Sequence, residues 1–429
     1  MLEILSIEQE SEKLANILQR TVLSTALIEK KVEAILLDVK EKGDEAIRKY
    51  SSLFDEVSLE SFEVSEEEIT QALNETDDEL INALLSAKEN IERYHEKQLQ
   101  KGYKIEDEFS AIQQIVNPID RVGIYIPGGK AAYPSTVLMN AIPAKIAGVN
   151  EIVIVTPPNK EGKIKSSILV AAKLAGVSKI LKIGGAQAIG ALAFGTETIQ
   201  KVDKIVGPGN IYVALAKKSV SGIVGIDMVA GPTEVVILAD EDANPRFIVA
   251  DLMAQAEHDE MASSIVITNS EVLAMKVQKE VEKLIDEQPR KDIIKKAFQN
   301  YGAIIVVNTI NEGIQLVNKI APEHVEIMTN NPTELLPKIK NAGAIFLGEY
   351  TPEPVGDYYA GTNHTLPTSG TARFTSPLSV NDFQKKTSVV YYSKEALREA
   401  RNHIEIIANE EGLFGHKKAI SIRFEEESN

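Results

Sequence analysis

The chain contains no cysteine among its 429 residues. This absence excludes disulfide bonds, thiolate chemistry and cysteine-ligated zinc, so any bound metal must be held by His, Asp, Glu or amide oxygen. Long apolar runs are also lacking: no stretch approaches the roughly 18 residues of a membrane span. The first twenty residues carry four Glu and no continuous apolar core. We therefore expect no secretory signal, no membrane partner and a cytoplasmic location.

Basic residues are fewer than acidic residues. Lys and Arg together number 46 against 63 Asp and Glu, which gives a formal net charge of -17 and a pI near 5.0. Proteins that bind nucleic acids or anionic membranes draw affinity from clusters of Lys and Arg, and no such cluster is present. A nucleic-acid partner is therefore not expected. The length allows roughly two to four domains with sizeable cores.

The apolar pattern divides the chain near residue 120. Before about residue 110 the pattern is helical, with Val32, Ile35, Leu36 and Val39 on one helix face and a capping box of Ser65 and Glu68. Beyond it, short apolar runs alternate with helix-length amphipathic segments, and these runs cover 122–126, 151–156, 179–183, 235–238, 264–268, 303–307 and 344–347. This alternation predicts an α/β fold with mostly parallel sheets and helices on both faces.

Four turns in the second region are rich in glycine. They read IPGG at 126–129, IGGAQ at 183–187, VGPGN at 206–210 and VAGPT at 229–233. Glycine lets backbone N–H groups approach a phosphate closely, and most of these turns follow an apolar run, where open parallel sheets bind ligands. None matches GxGxxG or a Walker A loop, so nucleotide binding and simple tight turns both stay open.

One helix, predicted to start at Asn244 and Pro245, carries a set of polar residues. Asp251, Gln255 and His258 are spaced i, i+4 and i+7, which places them on one helix face. Two interpretations are open. Either these side chains take part in catalysis or binding, or Gln255 and His258 are solvated residues at a helix end. The helix alone does not decide between these interpretations.

Four of the six histidines, His258, His324, His364 and His416, lie beside acidic, Gly or Asn residues in polar motifs. Glu323 and His324 are adjacent and combine two common proton carriers, although such a pair also occurs often on surfaces. A long loop is predicted over 353–377, with Asp357 and His364 inside it, and a helix over 394–407. His416 lies in a polar motif near the C-terminus. We expect His95 and His403 on helix surfaces.

These motifs, taken together and in order, resemble the histidinol dehydrogenase family. The matching pieces are VGIYIPGG at 122–129, GGAQAIGALAFGT at 184–196, VGPGNIYV at 206–213, AGPTEVVILAD at 230–240, DLMAQAEHD at 251–259, APEH at 321–324, GDYYAGTNHTLPT at 356–368 and EGLFGH at 411–416. They extend from about residue 120 to the C-terminal region.

The resemblance implies an activity and an organisation. The expected reaction is the zinc-dependent, NAD-linked oxidation of L-histidinol through L-histidinal to L-histidine, the final steps of histidine biosynthesis. The expected protein is a cytoplasmic homodimer with shared active sites and two Rossmann-like domains. The implied parts are a helical arm at 1–20, a larger α/β domain at 21–122 and 233–378, an inserted NAD-binding domain at 123–232, and a C-terminal segment at 379–429 that completes the partner's site.

The resemblance also implies roles for individual residues. One zinc ion per subunit would be held by Gln255, His258, Asp357 and His416. His324 would act as the base in the hydride-transfer steps, and Glu323 would activate water. The NAD contacts would be Tyr125, Gln187 and Asn210, and the substrate contacts Thr233, Gln255, His258, His324, Asp357, Glu411 and His416. The resemblance assigns no role to His364.

Two other functions are compatible with the residues themselves. A metal-dependent hydrolase could use the same four metal ligands with Glu323 as the group that activates water, although the chain lacks HExxH and GxSxG. A non-catalytic regulator could bind a nucleotide or a metal on the same fold. Turnover without NAD would favour the first, and binding without turnover would favour the second.

Overall fold

The computed structural model describes residues 2–6, 13, 15, 17, 26–128 and 132–428. The chain forms two compact units, one of Met1–Gln98 with Ile119–Phe383 and one of Leu99–Pro118 with Gln384–Asn429. The predicted helical arm at 1–20 lies mostly outside the described residues. Within it, Glu3–Ser6 forms a β-strand, so the prediction of purely helical structure at the start of the chain is wrong there.

The strands of the first unit form two parallel sheets. The six-stranded sheet has the order β1-β11-β10-β9-β12-β13, and the five-stranded sheet has the order β6-β5-β4-β7-β8. All described pairings within both sheets are parallel. The strands are β1 (Glu3–Ser6), β4 (Arg121–Tyr125), β5 (Glu151–Val155), β6 (Lys179–Leu181), β7 (Lys204–Val206), β8 (Gly225–Ile226), β9 (Glu234–Ala239), β10 (Ser263–Thr268), β11 (Ala303–Val306), β12 (His324–Met328) and β13 (Ala344–Leu347).

Helices connect most of these strands. Those of the first unit are α1 (Ala26–Lys42), α2 (Asp44–Phe54), α3 (Glu66–Glu75), α4 (Asp78–His95), α5 (Pro134–Ala147), α6 (Ser166–Ala175), α7 (Gly185–Phe194), α8 (Ile211–Val220), α9 (Pro245–Ala256), α10 (Glu271–Leu284), α11 (Lys291–Tyr301), α12 (Ile310–Ile320), α13 (Pro332–Leu335) and α14 (Glu353–Tyr358). The predicted apolar face of α1 is buried, and the capping box of Ser65 and Glu68 starts α3. Among the described helices, none has the length and apolar character needed to cross a membrane.

Both faces of each parallel sheet are buried. In β5, Ile154 faces one apolar core and Val153 and Val155 face another. In β9, Val235 and Ile237 contribute to a core distinct from the one that contains Val236 and Leu238. Because alternate side chains of a strand point to opposite faces, each sheet is covered on both sides. The predicted α/β class with mostly parallel sheets is confirmed.

The second unit has a different architecture. Its strands β2 (Tyr103–Glu106), β3 (Ser110–Pro118) and β14 (Gln384–Tyr392) form an antiparallel sheet in the order β14-β3-β2. Its helices are α15 (Lys394–Glu410) and α16 (Phe414–Ser421). The predicted C-terminal helix is confirmed. The helical prediction before residue 110 missed β2, because this strand has four residues, all exposed, and offers no buried apolar run to detect.

Candidate active site

The candidate site begins with an unusual strand. In β12, Val325 and Ile327 enter an apolar core, whereas His324 and Glu326 lie on the opposite face and are equally buried. Strands of doubly covered parallel sheets are normally apolar on both faces, so two buried polar side chains mark this strand as functional. Glu326 interacts with Asp251 of α9, and its Oε1 accepts the backbone N–H of Glu353 at 3.0 Å.

The amide of Gln255 lies at the centre of the site and is fully buried. On one side it contacts the carboxylate of Glu353, and on the other it contacts the Thr233 hydroxyl and the backbone N–H of Glu234, the latter at 2.9 Å. Every group has a partner when the amide nitrogen faces Glu353 and the amide oxygen faces the other two. The Thr233 hydroxyl also contacts Glu323 Oε2, which accepts the Glu234 N–H at 3.0 Å.

The Glu323 and His324 pair is buried, so the interpretation of a surface pair is wrong. Only 7% of Glu323 and 3% of His324 are exposed, and Glu323 Oε2 lies 3.8 Å from His324 Nδ1. Nδ1 also lies 3.1 Å from the carbonyl oxygen of Glu234, which accepts its hydrogen. His324 Nε2 is then unprotonated, and it has no hydrogen-bond partner among the described residues. Burial lowers the pKa of His324, which favours this neutral form.

Five acidic residues interact in this region, and we call them the carboxylate cluster: Asp251, Glu323, Glu326, Glu353 and Asp357. Burial raises the pKa of Glu353 well above its usual range, and the neighbouring carboxylates add to the effect. Burial, with the negative charge of Asp251, likewise raises the pKa of Glu326, and burial raises the pKa of Asp251 to about 6. Such a concentration of buried carboxyl groups favours a bound cation.

Donor atoms suited to a metal ion converge beside this cluster. His324, Glu353 and Asp357 each offer one ligand atom, and these three atoms lie within 4.8 Å of one another. Imidazole nitrogen and carboxylate oxygen both suit zinc, so the residues present fit a metal. Of the four ligands implied by the resemblance, only Asp357 belongs to this group, while Gln255 contacts the group through Glu353.

A cavity of about 420 Å³ opens beside Asp357. Its polar lining includes His258, Arg290, Asp357 and Tyr358, and its apolar lining comes from α4 and α5. His258 is exposed, so its ring is available to a ligand. The volume is within the range of small-molecule sites, which is about 300 to 1,000 Å³.

Two local predictions near the site need correction. Asp251, Gln255 and His258 do not share a helix face, because α9 ends at Ala256 and His258 lies in the following turn. The segment 353–377 is not a loop throughout, because Glu353–Tyr358 forms α14. Pro354 occupies the first turn of this helix, where a proline is tolerated, and Glu353 and Asp357 are therefore i and i+4 neighbours.

The other histidines give a mixed result. His364 is half-buried, with Nδ1 3.1 Å from the carbonyl oxygen of Asp357. His95 is fully buried, with Nδ1 2.9 Å from the carbonyl oxygen of Ile91, so the prediction of a surface position is wrong. The burial of His95 was not predictable from the pattern of α4, because chain segments distant in sequence cover the end of this helix. His403 is exposed on α15, as expected.

The residues implied for NAD lie at the other sheet. Successive strands run outward from β4 through β5 to β6, and the chain then returns to place β7 on the opposite side of β4. Parallel α/β sheets bind ligands at the carboxyl ends of strands where the order reverses in this way. Tyr125 ends β4, and Asn210 follows β7 as the N-cap of α8.

Gln187 lies in the first turn of α7 and is only 1% exposed. Neither its amide oxygen nor its amide nitrogen has a hydrogen-bond partner among the described residues. Nearby, the Tyr125 hydroxyl accepts the backbone N–H of Gly185 at 3.1 Å, and burial raises the pKa of Tyr125 to about 12. A buried amide without partners is costly, so Gln187 is suited to a polar ligand. The last glycine of the IPGG turn lies outside the described residues.

The implied substrate and metal residues near the C-terminus belong to the second unit. Glu411 follows α15 as its C-cap residue, and His416 lies in the first turn of α16. Both are exposed.

Several residues of the site were not identified from the sequence. Glu353, Glu326 and Arg290 each contact or line the site, yet none belongs to a recognisable short motif. A usable signal existed for Glu326, because the run HVEI at 324–327 alternates polar and apolar residues, a pattern typical of a strand, although no strand was predicted there. The spacing of Glu353 and Asp357 was a second signal, obscured by the prediction of a loop.

Comparison with known proteins shows which family the chain belongs to. The family model for histidinol dehydrogenase matches residues 18–424. The chain belongs to the histidinol dehydrogenase family. It is 57% identical to the histidinol dehydrogenase of Clostridium acetobutylicum over 95% of this chain and 94% of that protein. It is 50% identical to that of Oceanobacillus iheyensis over the whole of both chains.

A solved structure of the family has the same fold. The crystal structure of histidinol dehydrogenase from Elizabethkingia anophelis aligns with a TM-score of 0.94 at 40% identity, covering 100% of this chain and 99% of that one. The family oxidises histidinol to histidine with NAD, in histidine biosynthesis. The family, the fold class and the class of enzyme expected from the sequence are therefore confirmed.

Proposed function

We propose that this protein oxidises L-histidinol through L-histidinal to L-histidine at the site around His324. The observation that carries the proposal is the unprotonated Nε2 of His324, buried without a partner among the described residues and 4.0 Å from Asp357 Oδ1. A buried neutral imidazole with one free nitrogen is a suitable base for a substrate hydroxyl.

In the first oxidation, His324 Nε2 takes the hydroxyl proton while the neighbouring carbon loses a hydride. The Glu234 carbonyl holds the proton on Nδ1, so His324 keeps the required tautomer and orientation. After the transfer, the imidazolium is stabilised by Asp357 and by Glu353, whose carboxylate oxygen lies 3.8 Å from Nδ1. Such proton transfer contributes about 10²- to 10⁴-fold to the rate.

The second oxidation requires water, because an aldehyde must be hydrated before it can lose another hydride. Glu323 is the group that accepts the water proton. The Glu234 N–H donates to its Oε2 and the Thr233 hydroxyl contacts the same oxygen, which fixes the carboxylate. As water adds, the imidazolium of His324 returns its proton to the aldehyde oxygen, so Nε2 is free again. His324 then accepts the hydroxyl proton of the hydrate, and the two oxidations together release two hydrides per histidinol.

The cofactor would be held by Tyr125, Gln187 and Asn210 at the carboxyl edge of the five-stranded sheet. NAD, when bound, supplies the acceptor for each hydride. The buried amide of Gln187 offers both a donor and an acceptor to a polar ligand, and the Tyr125 hydroxyl keeps the first turn of α7 in place through Gly185.

The zinc ion would be held by Gln255, His258 and Asp357, with His416 as the fourth ligand. Zinc, when bound, supplies a positive charge that orients the substrate and offsets the carboxylate cluster. Glu353 would orient the Gln255 amide, which it contacts directly. A ligand from outside the first unit would complete the set, and we propose that Glu411 and His416 act in the site of the partner in a cytoplasmic homodimer.

The deciding experiment measures NADH formed per histidinol consumed by the purified protein, with zinc, after chelation and after zinc is restored. Two NADH per histidinol, abolished by chelation and recovered with zinc, is the expected result. Histidinol oxidation that persists without metal would reject the zinc requirement alone. The absence of NADH under every condition would reject the dehydrogenase and favour the hydrolase or the regulator.

A further inference from the structure

A buried ion pair lies beneath the cofactor loop, which we define as residues 207–210 between β7 and α8. Lys217 of α8 pairs with Asp227, and their side chains are only 2% and 1% exposed. Neither residue belongs to the carboxylate cluster or to the proposed cofactor contacts. The pair therefore takes no direct part in the proposed proton transfers or in binding the cofactor.

Both partners hold the same glycine by its backbone. Lys217 Nζ donates to the carbonyl oxygen of Gly207 at 2.8 Å, and Asp227 Oδ2 accepts the N–H of Gly207 at 2.9 Å. A single residue at the start of the cofactor loop is thus fixed through both of its peptide groups. Asp227 Oδ1 also accepts the N–H of Met228 at 2.6 Å, at the start of the segment that leads to Thr233.

The conformation fixed in this way is one that only glycine accommodates. Gly207 has a φ of +104°, and a Cβ atom at this position would lie 2.3 Å from the carbonyl oxygen of Tyr125. The turn therefore passes directly against the end of β4. Three residues later, Asn210 caps α8 by accepting the N–H groups of Tyr212 and Val213.

An ion pair is a poor way to gain stability at this depth. Removing two charges from water is costly, and a well-packed apolar pair is often as stable or more so. An apolar pair, however, cannot hold both peptide groups of Gly207. We propose that Lys217 and Asp227 are positioning residues that set the cofactor loop, and hence Asn210 relative to Tyr125, for binding NAD. This inference rests on the proposed function.

The test is the double variant Lys217→Met with Asp227→Asn in the full-length protein. It removes both charges and the bond to the Gly207 carbonyl, while it leaves an acceptor at position 227. We expect KM for NAD and the dissociation constant of NADH to rise about tenfold or more, because small displacements of positioning elements have effects of this order. The KM for histidinol and the zinc content stay within about twofold of wild type, which a general loss of stability would not produce.

The matched control removes an ion pair in the same sheet, at the amino ends of the strands, whereas the cofactor loop lies at their carboxyl ends. Arg121 and Glu151 begin β4 and β5, their side chains lie 2.7 Å apart, and they are 10% and 31% exposed. Arg121→Met with Glu151→Gln should lower the melting temperature while KM for NAD stays unchanged. An equal rise of KM for NAD in both double variants would overturn the inference, as would an unchanged KM in the Lys217 and Asp227 variant.

Two further outcomes are distinguishable. If the double variant does not fold, Lys217→Met alone is measured, because it still removes the hydrogen bond to the Gly207 carbonyl. An unchanged NADH dissociation constant then overturns the inference. If the wild-type protein forms no NADH from histidinol, the proposed function fails. NADH binding by calorimetry then still reports whether the pair positions the loop for a nucleotide.

Discussion

His324 Nδ1 lies 3.1 Å from the carbonyl oxygen of Glu234, at the point where β12 and β9 begin side by side. The contact fixes the tautomer of a buried imidazole and leaves Nε2 free. It also places the chemistry at the amino ends of two parallel strands. Ligands of open α/β sheets normally bind at the carboxyl ends, as the proposed NAD contacts on the five-stranded sheet do.

Replacing His324 by Asn should abolish most of the activity without disrupting the fold. Asn keeps a donor near the Glu234 carbonyl but has no basic nitrogen in place of Nε2. We expect kcat to fall by about 10²- to 10⁴-fold, with the affinity for NADH unchanged. Steady-state rates and calorimetry measure the two effects. His403→Asn on the exposed face of α15 is the control, and wild-type kcat in His324→Asn would contradict the role of base.

Replacing Glu323 by Gln should separate the two oxidations. The amide retains the size of the carboxylate and an acceptor for the Glu234 N–H, but it cannot take a proton from water. We expect the oxidation of added histidinal to fall about 10²-fold or more, while the first oxidation loses less. The yield then drops from two NADH per histidinol towards one during the early phase of the reaction. Equal losses in both steps would argue that Glu323 serves only to position His324.

Replacing Gln187 by Met should weaken cofactor binding without lowering the stability of the fold. Its buried amide has no partner among the described residues, so Gln187→Met removes an unsatisfied polar group at nearly constant volume. We expect a melting temperature equal to or above that of wild type, together with a rise of KM for NAD of about tenfold. Differential scanning calorimetry and steady-state kinetics provide the two values. A lower melting temperature with unchanged KM would mean that the amide is structural.

The sequence identified the polar residues of this site more readily than their arrangement. The family resemblance carried by the motifs implied Thr233, Gln255, Glu323 and His324 as site residues, and these four do lie together. Spacing relates Glu353 to Asp357 but not to Gln255 and Glu323, because these two partners come from other elements. The burial of His95 escaped detection for the same reason, since amphipathic patterns report the face of one helix and not what distant segments add to it.

The Lys217 and Asp227 pair shows another limit of sequence interpretation. A lysine in a helix and an aspartate in a loop are normally solvated, and nothing in their neighbours predicts side chains that are almost completely buried. Their partner Gly207 does carry a signal, because glycines in a turn after a buried strand suggest a special backbone conformation. Pattern analysis therefore located the turn but not the charges that hold it.

The proposed homodimer predicts complementation between two inactive variants. His324 and His416 would act in the same site but come from different subunits. Variants His324→Asn and His416→Asn, mixed in equal amounts and reassociated after mild denaturation, would form mixed dimers with one intact site. We expect recovery of about a quarter of the wild-type specific activity, from random pairing of two subunit types. The absence of any recovery, with dimers verified by light scattering, would place both residues in the same chain's site.

The pH dependence of stability should reveal the buried carboxyl group of Asp55. Its Oδ2 has no hydrogen-bond partner among the described residues, and burial raises its pKa from 3.8 to about 6. A raised folded-state pKa means that the folded protein binds the proton more tightly than the unfolded chain. The stabilising contribution is therefore complete below pH 3.8 and is lost as the pH rises to about 6.

Asp55→Asn removes this titration. We expect the unfolding free energy of the variant, relative to wild type, to increase between pH 4 and pH 6 and then to stay constant up to pH 8. Asp38→Asn is the control of opposite sign: hydrogen bonds from Lys42 and Lys49 hold the pKa of Asp38 below its usual range, so its contribution persists throughout this interval. Urea unfolding at a series of pH values measures both differences. A difference for Asp55→Asn that does not change with pH would show that this carboxyl group titrates alike in the folded and unfolded chains.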